Sequence, residues 1–181
     1  WDTWTGVDMV FREAAEWAKY TRPGNFADCD MLPLGQIAAT VGDPGVCNND
    51  NGRWTNLTKD EQYTMMTLWG ICHSPLFFGG DMTKNDEFTN SLLTNEEYHH
   101  MHKYGVDAHE VLNDEDNGHT IWTSIDPETG NRYLAMFQRD NTRWVDGRKA
   151  LYRSETVAYT TDGHAVNVDI EWPEGSKDLV L

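Results

Sequence analysis

The chain changes rhythm near Val106, and that change constrains its fold more than any single motif. Before it, apolar residues recur every three to four positions, the spacing of a helix with one buried face. Val7, Val10, Phe11, Ala14, Trp17 and Ala18 predict a helix over about 6–20, stopped by Arg22-Pro23-Gly24. Thr58-Lys59-Asp60-Glu61 is a capping box that opens a second helix. That helix runs to about His73, turns Tyr63, Met65, Met66, Trp69 and Cys72 inward, and stops at Pro75. A third helical stretch, about 85–104, breaks near Thr94-Asn95, which can cap a second piece. Short apolar strands, one ending near Asp30 and one at Leu76-Phe77-Phe78, separate the helices. The order helix, strand, helix, strand, helix is the grammar of a parallel α/β sheet or barrel. After Val106 the period is two. His119–Ile125 and Arg132–Gln138 predict strands joined by a turn over Asp126-Pro127-Glu128-Thr129-Gly130-Asn131, with further strands at about 149–160, 164–171 and 178–181. The expected fold class is therefore α/β followed by all-β, with residues 1–105 in the first part and an antiparallel β domain over 106–181.

Two parallel strands do not make a buried sheet, because both faces and both edges need cover. The first part is thus expected either to pair with further strands or to be unstable alone. The opening Trp1-Asp2-Thr3-Trp4, without an initiating Met or an apolar leader, fits a piece of a longer polypeptide.

Thirty acidic residues against fourteen basic ones give a net charge of −16, a field that disfavours nucleic acid and anionic membrane surfaces. No apolar run is long enough to span a bilayer. Hydrophobic residues at 39% support a packed core, and eight Trp and seven Tyr offer core anchors or sugar-stacking faces. Cys29, Cys47 and Cys72 form no C-x-x-C motif, and an odd number cannot all pair internally.

The chemistry concentrates at Gly24-Asn25-Phe26-Ala27-Asp28-Cys29-Asp30-Met31-Leu32-Pro33-Leu34-Gly35. In an extended segment, residues i and i+2 share a face, so Asp28 and Asp30 point together and Cys29 points away. Two neighbouring carboxylates repel unless donors, a metal or a polar ligand compensate. Sugar hydroxyls are suitable donors, since one carboxylate accepts hydrogen bonds from two of them. Several other groups have plainer readings. Asp43, Asn48, Asn49 and Asp50 lie in a long polar loop, but their spacing matches no calcium loop. Asn56-Leu57-Thr58 is a glycosylation sequon in form and sits where a helix cap is expected. His99 and His102 share a helix face without a third metal ligand at a telling spacing. Asp81 reads as a cap after Gly79-Gly80, and Asp2 as a cap or first-turn acid for the first helix.

Taken in order, Trp1–Trp4, Pro23–Gly35, Leu57–Gln62, Leu68-Trp69-Gly70-Ile71-Cys72-His73-Ser74-Pro75-Leu76, Leu92–Glu96 and the Ile121…Phe137 hairpin resemble family 27 glycoside hydrolases, the α-galactosidases and α-N-acetylgalactosaminidases. The resemblance covers about 1–140; the last forty residues match less well and suggest either a truncated β domain or the start of a carbohydrate-binding module. It implies the C-terminal part of a (β/α)8 barrel followed by an antiparallel β domain, with the active site at the C-terminal ends of the strands. It further implies a retaining exo-glycosidase acting on terminal α-galactosides, in which Asp30 and Met31 contact the sugar and Asp28 supports them. Cys29 departs from the Pro or small residue more usual at its position. Both catalytic carboxylates are expected outside this chain, leaving Asp2 as a poor substitute, so the chain alone is expected to be inactive. No metal or organic cofactor is implied. The expected partners are an α-galactoside or related glycan and the N-terminal portion of the barrel, and the expected location is secreted or periplasmic. Rival readings are a β-L-arabinopyranosidase, an α-N-acetylgalactosaminidase and a non-catalytic carbohydrate-binding module.

Overall fold

A computed structural model describes residues 2–37, 52–115 and 118–139, together with the backbone of 144–145 and 148–149. In chain order the elements are α1 (Trp4–Ala18), β1 (Gln36–Ile37), β2 (Arg53–Trp54), α2 (Lys59–Ile71), a 3-10 turn (Met82–Lys84), α3 (Glu87–Leu93), α4 (Glu96–Tyr104), β3 (Val106–Asp114), β4 (His119–Ile125), β5 (Arg132–Gln138), β6 (Trp144–Val145) and β7 (Arg148–Lys149). The structure thus comprises helices followed by antiparallel sheet. Asp43, Asn48, Asn49 and Asp50 of the long polar loop lie outside the described residues. So do Cys47 and, apart from Lys149, the expected strands beyond 149.

The helices begin where local chemistry dictates. Thr3 caps α1, its hydroxyl taking the Gly6 amide. That is the role expected of Asp2, which is engaged elsewhere. α2 starts on the full capping box: Thr58 Oγ1 accepts from the Glu61 amide at 3.3 Å, and Glu61 Oε2 accepts from the Thr58 amide at 2.7 Å. Thr58→Ala breaks the box and is expected to cost about 0.5–2 kcal/mol of stability, read as a lower urea midpoint of the intact protein. Asn95 caps α4 through the Tyr98 amide, so the helical stretch breaks where Thr94-Asn95 predicted. Asp81 caps the 3-10 turn, accepting from Thr83 N at 3.0 Å and Thr83 Oγ1 at 2.6 Å, bonds that hold its carboxyl below the usual range.

β4 and β5 span the residues their alternation predicted and pair in full register from His119↔Gln138 to Ile125↔Arg132. β3 pairs with the other side of β4, with register shifts between Val106 and His109 and between Glu110 and Leu112. The sheet order is β3-β4-β5. Its central strand is the buried one, and Trp122 is wholly enclosed.

One hydrophobic cluster joins helices and sheet. Val7, Phe11 and Ala14 of α1, Met65, Leu68 and Trp69 of α2, Leu32 and Leu34 between them, and Trp122, Ala135 and Phe137 of the sheet all belong to it. Phe11 meets Phe137 edge-on, with ring centroids 4.9 Å apart. Burying each such large side chain contributes about 1.5–3 kcal/mol. Two residues expected inside face outward. Trp17 leans on Tyr20, and Tyr63 leans on Phe88.

The strand expected to end at Asp30 takes a different form. Residues 26–31 make no ladder; the parallel pairing is a single bridge, Leu32↔Phe78, closed by Leu32 N–H to Phe77 O and Gly79 N–H to Leu32 O. The reason is local. Asp28 Oδ1 takes the Asp30 amide at 2.9 Å and Asp30 Oδ1 takes the Met31 amide at 2.6 Å, so side chains consume the donors a ladder would use.

Candidate active site

Asp30 sits at φ 74°, in the left-handed region that Asp tolerates better than most residues. This turn at the end of the segment is held from both sides. Trp69 Nε1 of α2 donates to the Asp30 carbonyl at 2.9 Å. The Cys29 amide donates to Ser74 Oγ at 3.0 Å, which ties the segment to the residues just after α2. Ser74 is itself held, since His102 Nε2 donates to its carbonyl at 2.7 Å. Met31 packs on Gly79, where a Cβ would come within 2.8 Å of its sulfur, so the close approach depends on glycine.

The result is an open cleft of about 250 Å³ between α1, α2 and the segment. Asp28, Asp30 and Met31 line it, facing Met9 and Glu13 of α1. Asp28 and Asp30 are exposed while Cys29 between them is buried, so the alternation read from the sequence holds although the backbone is not a strand. The structure therefore brings three of the four candidate residues together. Two carboxylates at the mouth of a cleft, with an apolar Met beside them, can accept hydrogen bonds from neighbouring hydroxyls while the thioether covers an apolar sugar face.

Asp2 does not join them. Its carboxylate takes both Arg53 guanidinium nitrogens, Nη2 at 3.1 Å, and the Asn56 amide at 3.0 Å. Burial pushes its carboxyl up, but Arg53 and Asn56 outweigh this and hold it below the usual range. A carboxylate committed in this way anchors the 53–56 loop and is poorly suited to proton transfer.

The histidines also act separately. His99 Nε2 meets the Leu93 carbonyl at 2.6 Å, His100 Nε2 meets Asp126 Oδ2 at 3.2 Å, and His102 holds Ser74. Among the described residues no group of three His, Cys, Asp or Glu side chains is placed to hold a metal ion. The supporting roles of Trp69 and Ser74 were not read from the sequence. Trp69 has the spacing of a core residue, and the Ser74 contact spans 45 positions. Glu13, across the cleft, looked like any residue on a polar helix face.

No protein-family profile matches the chain. α-Galactosidase 2 of Arabidopsis thaliana is 30% identical over 96 residues, covering 53% of this chain and 20% of that protein. An α-galactosidase of Oryza sativa subsp. japonica is 26% identical over 133 residues, 72% of this chain and 27% of the relative. Among solved structures, a GH27 β-L-arabinopyranosidase from Geobacillus stearothermophilus superposes with a TM-score of 0.69 at 47% identity, over 76% of this chain and 30% of that one. A variant of that enzyme, with a TM-score of 0.69 at 46% identity, was solved in complex with arabinose. A candidate α-N-acetylgalactosaminidase from Bacillus halodurans gives a TM-score of 0.66 at 42% identity, over 76% and 31% of the two chains. The chain spans under a third of the length of each of these relatives. Sequence relatives and structural neighbours agree with the motifs, and over the stretch they share this chain is similar to the family 27 glycoside hydrolases.

Proposed function

We propose that this stretch is part of a retaining exo-glycosidase that removes terminal α-galactosyl residues or their β-L-arabinopyranosyl counterparts. The observation that carries the reading is the cleft itself. Asp28, Asp30 and Met31 face it together, on a segment fixed by Trp69 and Ser74. The two sugars are one stereochemical problem, since β-L-arabinopyranose is the galactose ring without its exocyclic carbon. The arabinopyranosidase reading has a specific support in the 47% identity to that neighbour.

In this reading residues 1–105 supply the last strands and helices of a (β/α)8 barrel, and 106–181 begin an antiparallel β domain. A nucleophilic carboxylate and an acid/base, about 5–5.5 Å apart across the scissile bond, are carried by other parts of the intact protein. The nucleophile attacks the anomeric carbon while the acid protonates the leaving oxygen; water then releases the sugar with retained configuration. Asp30 accepts ring hydroxyls, and its bonds tighten as oxocarbenium character develops. The location proposed is secreted or periplasmic, on the resemblance alone.

The intact protein is expected to release p-nitrophenol from the p-nitrophenyl α-galactoside or β-L-arabinopyranoside, with the first-formed sugar of retained configuration by proton NMR. The isolated stretch is expected to release none. Inactivity of the intact protein on both substrates, or inversion, would overturn the reading. Turnover by the isolated stretch would shift the catalytic role to Asp2, Asp28 and Asp30.

A further inference from the structure

We propose that Cys29 and Cys72 form a disulfide beneath the cleft, a covalent modification site directly under the face that carries Asp28 and Asp30. Both thiols are free, and their sulfurs stand 3.8 Å apart, on segments 43 positions distant in sequence. A disulfide has its sulfurs about 2.05 Å apart, so closure needs an approach of about 1.8 Å shared between two side chains. The backbones are already tied together there, by Cys29 N–H on Ser74 Oγ and Ser74 N–H on the Trp69 carbonyl.

The two cysteines differ in ways that assign their roles. Cys29, 8% exposed, touches the floor of the cleft, whereas Cys72, 3% exposed, is enclosed at the end of α2. The sulfur–sulfur hydrogen bond lowers the Cys29 thiol and, with burial, pushes Cys72 well up. Cys29 is therefore the attacking thiolate and Cys72 the resolving thiol. A low-molecular-weight disulfide such as oxidised glutathione enters by the cleft. The Cys29 thiolate attacks one of its sulfurs, the small disulfide bond breaks, and one small thiolate leaves and takes a proton from water. Cys72 then gives up its proton, its sulfur attacks Cys29 Sγ, and the second small thiol departs with a proton. Two protein thiols are oxidised to one disulfide, and the small disulfide is reduced to two thiols. The bond ties the Asp28–Met31 segment to α2. The chemistry is independent of the glycosidase reading and stands if that reading fails.

The test treats the intact protein with oxidised glutathione, alkylates it under denaturing conditions and maps its peptides without reductant. The expected product is a Cys29–Cys72 linked pair, two hydrogens lighter than the sum of its peptides and separated by dithiothreitol. Cys72→Ser should stop the reaction at a Cys29–glutathione mixed disulfide, and Cys29→Ser should leave Cys72 as an alkylated thiol. Unmodified thiols in the wild-type protein, a mixed disulfide at Cys29 as its end product, or linkage of either residue to another cysteine, Cys47 included, would overturn the proposal. The wild-type map decides the matter even where a variant fails to fold.

Discussion

Replacing Asp30 with asparagine is expected to lower kcat/KM of the intact enzyme by about ten- to a thousand-fold while leaving the fold unchanged. The size of the effect follows from what the carboxylate offers. Hydrogen bonds from sugar hydroxyls to a charged acceptor are worth about 1.5–3 kcal/mol each. The amide still accepts one such bond and presents a donor in place of the second acceptor, so the loss stays below that of two bonds. The fold is preserved for three reasons visible at the site. Asn tolerates the φ of 74° as readily as Asp, its Oδ1 can still take the Met31 amide, and the Asp30 amide and carbonyl keep their partners Asp28 and Trp69. Asp28→Asn should cost less: each carboxylate already has one oxygen on a backbone amide, but the family resemblance gives the sugar contact to Asp30 and a supporting role to Asp28. Cys29→Ala, on the buried side, should cost least. Steady-state kinetics on the three variants, with circular dichroism as the check on folding, ranks them. A greater loss for Cys29→Ala than for Asp30→Asn, both folded, would remove Asp30 from the site.

That ranking rests on an alternation legible in the sequence, although the secondary structure assigned to it was not what formed. Asp28 and Asp30 face the cleft as the i, i+2 rule requires. What the rule missed is that aspartates hydrogen-bond their own following amides, which removes the donors a strand needs. Elements with a local signature were legible. The Thr58–Glu61 capping box needs only residues three apart, and the β4–β5 hairpin has clean alternation around a turn sequence. β3 was not assigned as a separate strand. Val106 and Ala108 keep the period of two but Val111-Leu112 breaks it, and the structure shows a register shift between Glu110 and Leu112. Contacts between distant positions left no trace in the sequence. Asp2 meets Arg53 across 51 positions and was read as a helix cap, a role that fell to Thr3. The candidate site is therefore legible in its exposed side chains and illegible in the residues that hold it, since Trp69 and Ser74 reach the segment through long-range bonds.

The longest of these distant contacts carries the largest expected effect on stability. Asp8 of α1 and Arg139, just after β5, are 131 positions apart and form an ion pair with Nε at 3.0 Å and Nη2 at 2.9 Å. Arg139 Nη1 also donates to Thr120 Oγ1 of β4 at 3.0 Å, and its guanidinium lies over the Phe11 ring at 4.6 Å. The side chains are only 4% and 10% exposed, so the pair pins the helix to the sheet inside the shared core. Asp8→Ala strands a buried guanidinium and is expected to lower the unfolding free energy by about 3–5 kcal/mol. Burial already disfavours the charged Arg139, pushing its pKa down, while Glu115 and Glu110 pull it up. These acids are the groups that would take over if the structure relaxed. Replacing both partners with apolar residues of similar volume, Asp8→Leu with Arg139→Met, should recover much of the loss, because no buried guanidinium is left without its carboxylate. Urea unfolding of the intact protein and the two variants separates the cases. A loss under about 1 kcal/mol for Asp8→Ala would mean that Glu110 or Glu115 replaces Asp8 at little cost, and that this pair does not fix helix to sheet.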